Sequence, residues 1–255
     1  MKYCVGDALL QVSESGSGPQ AVVFLHYFGG SGRAWTHVGD LLADRWRCVM
    51  PDLLGFGASD SVPDSYGVND AADEVLALVR AIGIERFGLV GHSMGGKIAL
   101  TVAARQPPGL THLVLLAPSP PTPEPMAPSD REKMLASQTS RAAARETARK
   151  GNGQPLPAAL VRQVVDDQLR TSPAAWRWWL ASGSCESFED SMTQITVPVQ
   201  VLSGTLDTNI PTAVIEREVM ARLPQAQLHR LSGCGHLLPL EAPQAVAQVI
   251  RNMKF

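Results

Sequence analysis

Short apolar runs alternate along this chain with segments of helical periodicity, and this alternation restricts the folds that are open to it. The runs are dominated by Val, Leu and Phe and contain few alternating polar residues, as expected of strands covered on both faces. The predicted strands are 21–26, 47–52, 87–92, 110–118, 197–204 and 227–233. Strands that alternate with helices predict an α/β fold, with a mainly parallel twisted sheet and helices on both faces.

Helical patterns occupy several of the intervals between these runs. Val75, Leu78, Val79 and Ile82 follow the spacing of one helix face. The predicted helices are 68–82, 94–105, 212–223 and 243–253. Residues 2–15 are predicted to form two strands that pair as a hairpin at one edge of the sheet.

The pattern changes between residues 118 and 196. Six prolines there, at 118, 120, 121, 123, 125 and 128, predict an extended connector because proline donates no N–H and fixes φ. Helices are predicted at 129–151, where Ser129 and Glu132 match a capping box, and then at 157–170 and 172–183. We therefore expect a core of 1–118 and 196–255, with residues 119–195 as a helical cap; an insertion that only adds bulk is the alternative.

Composition excludes several classes of protein. The chain has 255 residues and a formal net charge of −2, which lacks the basic excess expected of a nucleic-acid-binding protein. Its four cysteines form no CxxC pair, so neither a disulfide framework nor a zinc site is indicated. No signal peptide or run of about 20 apolar residues is visible, and we expect a soluble cytoplasmic protein without membrane contact. The sequence does not fix the oligomeric state.

The segment Gly91-His92-Ser93-Met94-Gly95 joins a predicted strand to a predicted helix. This is the context of a nucleophile elbow, in which a strained turn raises the serine hydroxyl above the sheet. The strand and helix then approach closely at the positions two before and two after the serine, where only very small residues fit. Ser93 is therefore the candidate nucleophile; a tight turn without chemistry is the alternative.

A serine hydroxyl needs a base, and the base needs an orienting acid. His236 lies in a glycine-rich loop after the last predicted strand, where an open parallel sheet places its ligands. Asp207 follows the penultimate strand and is the candidate acid, although it is also suited to capping the next helix. No carboxylate directly follows the run 110–118; the first acid there is Glu124, within the proline-rich stretch.

Two main-chain N–H groups are candidates for an oxyanion hole, the site that stabilises developing negative charge. One belongs to Met94, directly after the candidate nucleophile. The other belongs to Phe28, in the loop after strand 21–26. His26 is expected to support that loop by hydrogen bonds and not to transfer protons.

The chain resembles the α/β-hydrolase superfamily, in particular its small serine hydrolases that carry a cap. The resemblance rests on motifs that occur in the family's order: HYFGG, DLLGFGAS, GHSMGG, GTLDTNIP and GCGHLLPLEAP. It implies an α/β-hydrolase fold and a Ser93–Asp207–His236 triad. Relatives that act as dehalogenases or epoxide hydrolases use aspartate at the nucleophile position, so Ser93 argues against both activities.

Two residues depart from the family pattern. Tyr27 stands where glycine is commonest, and its ring is expected to narrow or reshape the pocket beside the oxyanion hole. Phe56 replaces a residue that is more often polar or histidine.

The candidate substrate-binding residues are Tyr27, Trp176, Trp179 and Leu237. Trp176 and Trp179 share a helical face with Leu180 and either line an aromatic pocket or attach the cap to the core. Arg177 either pairs with an acidic substrate group or stays in solvent.

These residues predict an enzyme that acts on a small molecule without a metal or organic cofactor. The expected reaction is hydrolysis of small to medium carboxylic esters through an acyl-enzyme. The alternatives are C–C bond hydrolysis, lactone opening or perhydrolysis by the same triad, and a ligand receptor of the same fold.

Overall fold

The computed structural model describes residues 1–253 of the chain and contains eight strands. They are β1 (Lys2–Val5), β2 (Ala8–Ser15), β3 (Ala21–Leu25), β4 (Arg47–Pro51), β5 (Phe87–His92), β6 (Leu110–Leu116), β7 (Val199–Gly204) and β8 (Gln227–Leu231). All eight belong to one sheet in the order β1-β2-β4-β3-β5-β6-β7-β8. Strands β1 and β2 form an antiparallel hairpin, β2 is antiparallel to β4, and every other pairing is parallel.

Ten α-helices surround or extend this sheet within the described part of the chain. They are α1 (Thr36–Leu42), α2 (Val68–Ala81), α3 (Met94–Ala104), α4 (Pro128–Ala136), α5 (Arg141–Lys150), α6 (Ala158–Arg170), α7 (Pro173–Ala181), α8 (Thr212–Glu218), α9 (Leu238–Glu241) and α10 (Pro243–Arg251). Helices α2, α3 and α8 pack on one face of the sheet, and α1 and α10 pack on the other. The predicted α/β class with helices on both faces is therefore confirmed.

Central strands are buried because both of their faces are covered. In β3, Val23 and Leu25 point into one apolar cluster and Val22 and Phe24 into the other. Strand β8 lies at the edge and is only partly buried, so the continuous burial expected of it is not observed.

Helices α4 to α7 all lie between β6 and β7, the interval in which a helical insertion was expected. The single helix predicted for 129–151 is wrong, because residues 137–140 lie outside any helix and separate α4 from α5. The Ser140 hydroxyl accepts a hydrogen bond from the Ala143 N–H and so starts α5 as a new helix. Helix α4 begins at Pro128 and not at Ser129, with no side-chain cap.

Tyr66 connects this insertion to a helix of the sheet domain. Its hydroxyl donates to Glu74 Oε2 on α2 at 2.6 Å, and its ring lies edge-on to Trp178 of α7 at a centroid distance of 4.6 Å. Burial raises the pKa of Glu74 to about 8; the Tyr66 hydrogen bond opposes this shift, and Asp70 and Asp73 add to it.

Replacement Glu74→Gln is expected to remove a pH dependence of stability. An unfolded glutamic acid titrates near pH 4.3, so between about 4.3 and 8 the folded state binds more protons and stability falls as pH rises. The variant should melt roughly 3 °C or more above the parent at pH 8.5, and the difference should shrink towards pH 5. Thermal unfolding at several pH values measures this. The exposed Glu85→Gln is the control, and a constant difference across this range would contradict the assignment.

Candidate active site

Ser93 occupies a tight turn between β5 and α3. Its φ of 53° and ψ of −116° are unusual for a residue with a side chain. The Ser93 N–H donates to Leu116 O on β6 at 3.0 Å, which holds the turn against the neighbouring strand. This strained geometry agrees with the elbow predicted from the sequence.

Glycine is required on both sides of the turn by close approach of the backbone. A Cβ atom at Gly91 would lie 2.3 Å from Gly95 O, and a Cβ atom at Gly95 would lie 2.4 Å from Leu25 O. Strand β5, helix α3 and the end of β3 therefore meet with no space for a side chain. This contact brings the loop after β3 beside the first turn of α3.

His26 fixes the loop that follows β3. Its Nδ1 lies 2.8 Å from Tyr27 O, and its Nε2 lies 3.1 Å from the Leu53 nitrogen. The Leu53 N–H can only donate, so Nε2 accepts and Nδ1–H donates, which is the neutral tautomer. Burial lowers the pKa of His26, in agreement with a supporting role for a neutral ring.

The main-chain N–H groups of Phe28 and Met94 make no hydrogen bond to any acceptor within residues 1–253. Met94 is the first residue of α3, where helix geometry leaves N–H groups without an internal partner. These are the two donors that the sequence nominated.

Asp207 and His236 form a buried, hydrogen-bonded pair. Asp207 Oδ2 lies 2.8 Å from His236 Nδ1, and the side chains are 0% and 8% exposed. Asp207 Oδ1 accepts from the N–H groups of Asn209 and Ile210 at 2.8 and 3.0 Å. The carboxylate therefore closes the turn after β7 and also sets the imidazole with Nδ1–H towards Asp207, so that Nε2 is the acceptor atom.

His92 holds the main chain of His236 by a hydrogen bond to its carbonyl oxygen. The His92 ring donates through Nε2 to His236 O at 2.7 Å, and burial lowers the pKa of His92 well below its usual value. His92 therefore remains a neutral donor near the site.

Ser93 and His236 line the same cavity, which has a volume of about 740 Å³. No hydrogen bond joins the Ser93 hydroxyl to His236 Nε2 in the described part of the chain. Such contacts are often long in unliganded enzymes and tighten when substrate binds.

All four candidate substrate-binding residues, Tyr27, Trp176, Trp179 and Leu237, line this cavity. The Phe28 ring contacts Trp176 at a centroid distance of 4.5 Å, so the loop after β3 meets helix α7 across aromatic rings. Trp178 packs away from the cavity. The tryptophans therefore both line the cavity and attach α7 to the core. Arg177 is exposed, as in the solvent alternative.

Glu124 is a cavity residue that the sequence analysis set aside. Burial raises the pKa of its carboxyl, whereas nearby Ser119, Lys97 and His236 lower it. Its main chain is held by a hydrogen bond from the Glu124 N–H to Ser184 O at 2.8 Å. Glu124 follows β6, and parallel strands end at the edge of the sheet where the site lies, so its place in the sequence was consistent with a cavity residue. The proline run before and after it gives no pattern from which the course of the chain could be predicted.

Lys97 is buried beneath this region, on α3. Its ammonium group donates to Thr122 O at 3.1 Å and to Ser184 O at 3.4 Å. Burial lowers its pKa to about 8, and attraction to Glu124 opposes that shift. Lys97 thus holds the connector after β6 against the helix that follows Ser93.

Within residues 1–253, no group of three or more His, Cys, Asp and Glu side chains is arranged to hold a metal ion. No helix in that range has the length and apolar character to cross a bilayer. Cys234, two residues before His236, is half-buried, and burial raises the pKa of its thiol.

Comparison with known proteins adds independent information. Residues 22–249 match the model of the alpha/beta hydrolase family. The chain is 28% identical over 250 residues to an uncharacterized protein of Mycobacterium tuberculosis, covering 87% of this chain and 71% of that protein. Its fold is similar to an esterase from Exiguobacterium antarcticum, with a TM-score of 0.89, 19% identity and coverage of 98% and 97%. An enol-lactonase from Burkholderia xenovorans is similar too, with a TM-score of 0.87, 19% identity and coverage of 99% and 98%.

Proposed function

The chain belongs to the alpha/beta hydrolase family, and we propose that it is a serine hydrolase that cleaves small to medium carboxylic esters through an acyl-enzyme. The observation that carries this proposal is the 2.8 Å hydrogen bond between Asp207 Oδ2 and His236 Nδ1, beside a cavity that also contains Ser93. A carboxylate that orients an imidazole next to a serine on a strained turn is the arrangement that activates a hydroxyl for acyl transfer.

In the proposed first half-reaction, Ser93 Oγ attacks the ester carbonyl carbon while His236 Nε2 accepts the hydroxyl proton. The carbonyl π electrons move to oxygen, and the N–H groups of Phe28 and Met94 stabilise that oxyanion. The tetrahedral intermediate collapses, the bond to the alkoxy oxygen breaks, and His236 gives its proton to the leaving alcohol. Asp207 stays ionised and stabilises the imidazolium throughout.

Water completes the cycle in the second half-reaction. His236 Nε2 takes a proton from water as its oxygen attacks the acyl carbon, and the same two N–H groups stabilise the second oxyanion. Collapse breaks the bond to Ser93 Oγ, which regains a proton from His236. The products are one carboxylic acid and one alcohol.

Residues 119–195 act in this proposal as a cap over the site. The cavity is lined on one side by the loop after β3 and on the other by residues of α4, α5 and α7. Its aromatic rings, Phe28, Trp176 and Trp179, favour apolar acyl or alcohol groups. The structural neighbours named as an esterase and an enol-lactonase make esters and lactones the first classes to compare.

Replacement Ser93→Ala is expected to lower ester turnover on the order of 10⁶-fold, because it removes the nucleophile. Hydrolysis of a panel of short aryl esters, lactones and diketones measures the loss and ranks the substrate classes. The exposed Ser61→Ala serves as the matched control, and the thermal midpoint of Ser93→Ala should stay close to that of the parent. Turnover retained by a folded Ser93→Ala variant would refute the proposal.

Replacement Asp207→Asn should lower kcat by about 10⁴-fold, because an amide favours the wrong imidazole tautomer. Glu124→Gln should cost far less, since Glu124 lines the cavity but has no hydrogen bond to His236. Steady-state kinetics of the two variants on one aryl ester tests which carboxyl orients the base. A larger loss in Glu124→Gln than in Asp207→Asn would reverse the assignment.

A further inference from the structure

Glu241 joins two loops that are distant in sequence. It lies at the end of the short helix α9, five residues after His236. Its Oε2 accepts a hydrogen bond from the Gly235 N–H at 2.8 Å and another from the Gly153 N–H at 2.7 Å. Gly235 directly precedes the candidate base, whereas Gly153 belongs to the turn between α5 and α6 of the insertion. One carboxylate oxygen therefore connects the loop of the base to the insertion.

The two loops also touch directly through their backbones. The His236 N–H donates to Gly151 O. A Cβ atom at Gly235 would lie 2.4 Å from Gly151 O, and one at Gly153 would lie 2.1 Å from Gly233 O. The contact is closer than any side chain permits, so the relative position of the loops is tightly defined where Glu241 spans them.

The loop of the base needs external restraints because of its composition. Glycines at 233 and 235 flank Cys234, and glycine has the largest conformational freedom of any residue. The main chain of His236 is already held by Gly151 through its N–H and by His92 through its carbonyl. Glu241 supplies the adjacent restraint, at the N–H of residue 235.

The other carboxylate oxygen of Glu241, Oε1, makes no such hydrogen bonds. Oε1 is buried and has no hydrogen-bond partner in the part of the chain that the structure describes. A buried acceptor without a partner is unfavourable, so stability alone gives little reason for a carboxylate here. The interaction that explains the carboxylate is the pair of hydrogen bonds that Oε2 accepts from the two N–H groups.

We propose that Glu241 is a positioning residue for the base: by clamping Gly235 to Gly153, it holds the His236 imidazole in register with Asp207 and Ser93 and makes that register depend on the insertion. This inference rests on the proposed triad. Loss of the clamp leaves two N–H groups unpaired and frees a glycine-rich loop, so the imidazole spends less time in the reactive geometry.

Three variants test the clamp. Glu241→Ala should lower kcat on the order of 10²-fold, the cost of misplacing a catalytic group by about 1 Å, and leave KM nearly unchanged. Glu241→Gln should restore most of kcat, because its amide oxygen still accepts both bonds and its NH₂ takes the place of the idle Oε1. Glu241→Asp should fall between them, because its shorter side chain reaches only one N–H.

The controls separate positioning from a general loss of structure. Each variant is assayed well below its own thermal midpoint, and the exposed Glu132→Ala, on α4, should match the parent. In a His236→Ala background, Glu241→Ala should cause no further loss of residual turnover, because a residue that acts through the base has nothing left to position.

Several outcomes would overturn the inference. An unchanged kcat in Glu241→Ala would overturn it. So would a loss of turnover on Glu241→Ala replacement that is the same in the His236→Ala background as in the parent. If Glu241→Ala does not fold, equal kcat values for Glu241→Asp and Glu241→Gln would overturn it. Retained turnover in Ser93→Ala refutes the triad itself, whereas an inactive Ser93→Ala beside a fully active Glu241→Ala refutes only the clamp.

Discussion

The contact between β5, α3 and the end of β3 is the constraint on which the candidate site depends. Gly91 and Gly95 allow the three main chains to approach more closely than any Cβ atom permits. This single contact forces Ser93 into its strained conformation and places the loop of Phe28 beside the first N–H groups of α3. Backbone packing therefore positions the candidate nucleophile and the Met94 donor, and the buried His26 side chain adds its hydrogen bonds to hold the loop of Phe28.

Much of this arrangement was predictable because its causes are local or topological. Runs of Val, Leu and Phe such as 21–26 form central strands because side chains on both faces of the strand are apolar and are stabilised by burial. Ser93, Asp207 and His236 could be expected to lie near one another, since parallel strands end at one edge of a sheet and each residue follows the end of a strand within five residues. The pairing of Asp207 with His236 required no knowledge of the insertion.

What the sequence did not predict depends on contacts made far along the chain. Helix α1 was not predicted because Gly39 lowers the helical propensity of its sequence. The reason for a glycine at this position is visible only in the structure, where Ser15 and Met50 occupy the space that a side chain would need. The break between α4 and α5 rests on a single serine cap. Glu124 reaches the cavity because the connector after β6 is held by Lys97, a side chain whose partners are main-chain carbonyls and leave no pattern in the sequence.

The turn at residues 151–153 has a consequence for how this architecture diversifies. Insertions between β6 and β7 are natural places to acquire new specificity, and a helical segment there would at first sight be interchangeable between relatives. In this chain the segment presents Gly153 to the backbone of residues 233–235, where a Cβ atom would lie 2.1 Å from Gly233 O. A transplanted insertion must therefore bring a glycine at the position of Gly153, so recombination and protein engineering can vary α4 and α7 far more freely than the bend between α5 and α6.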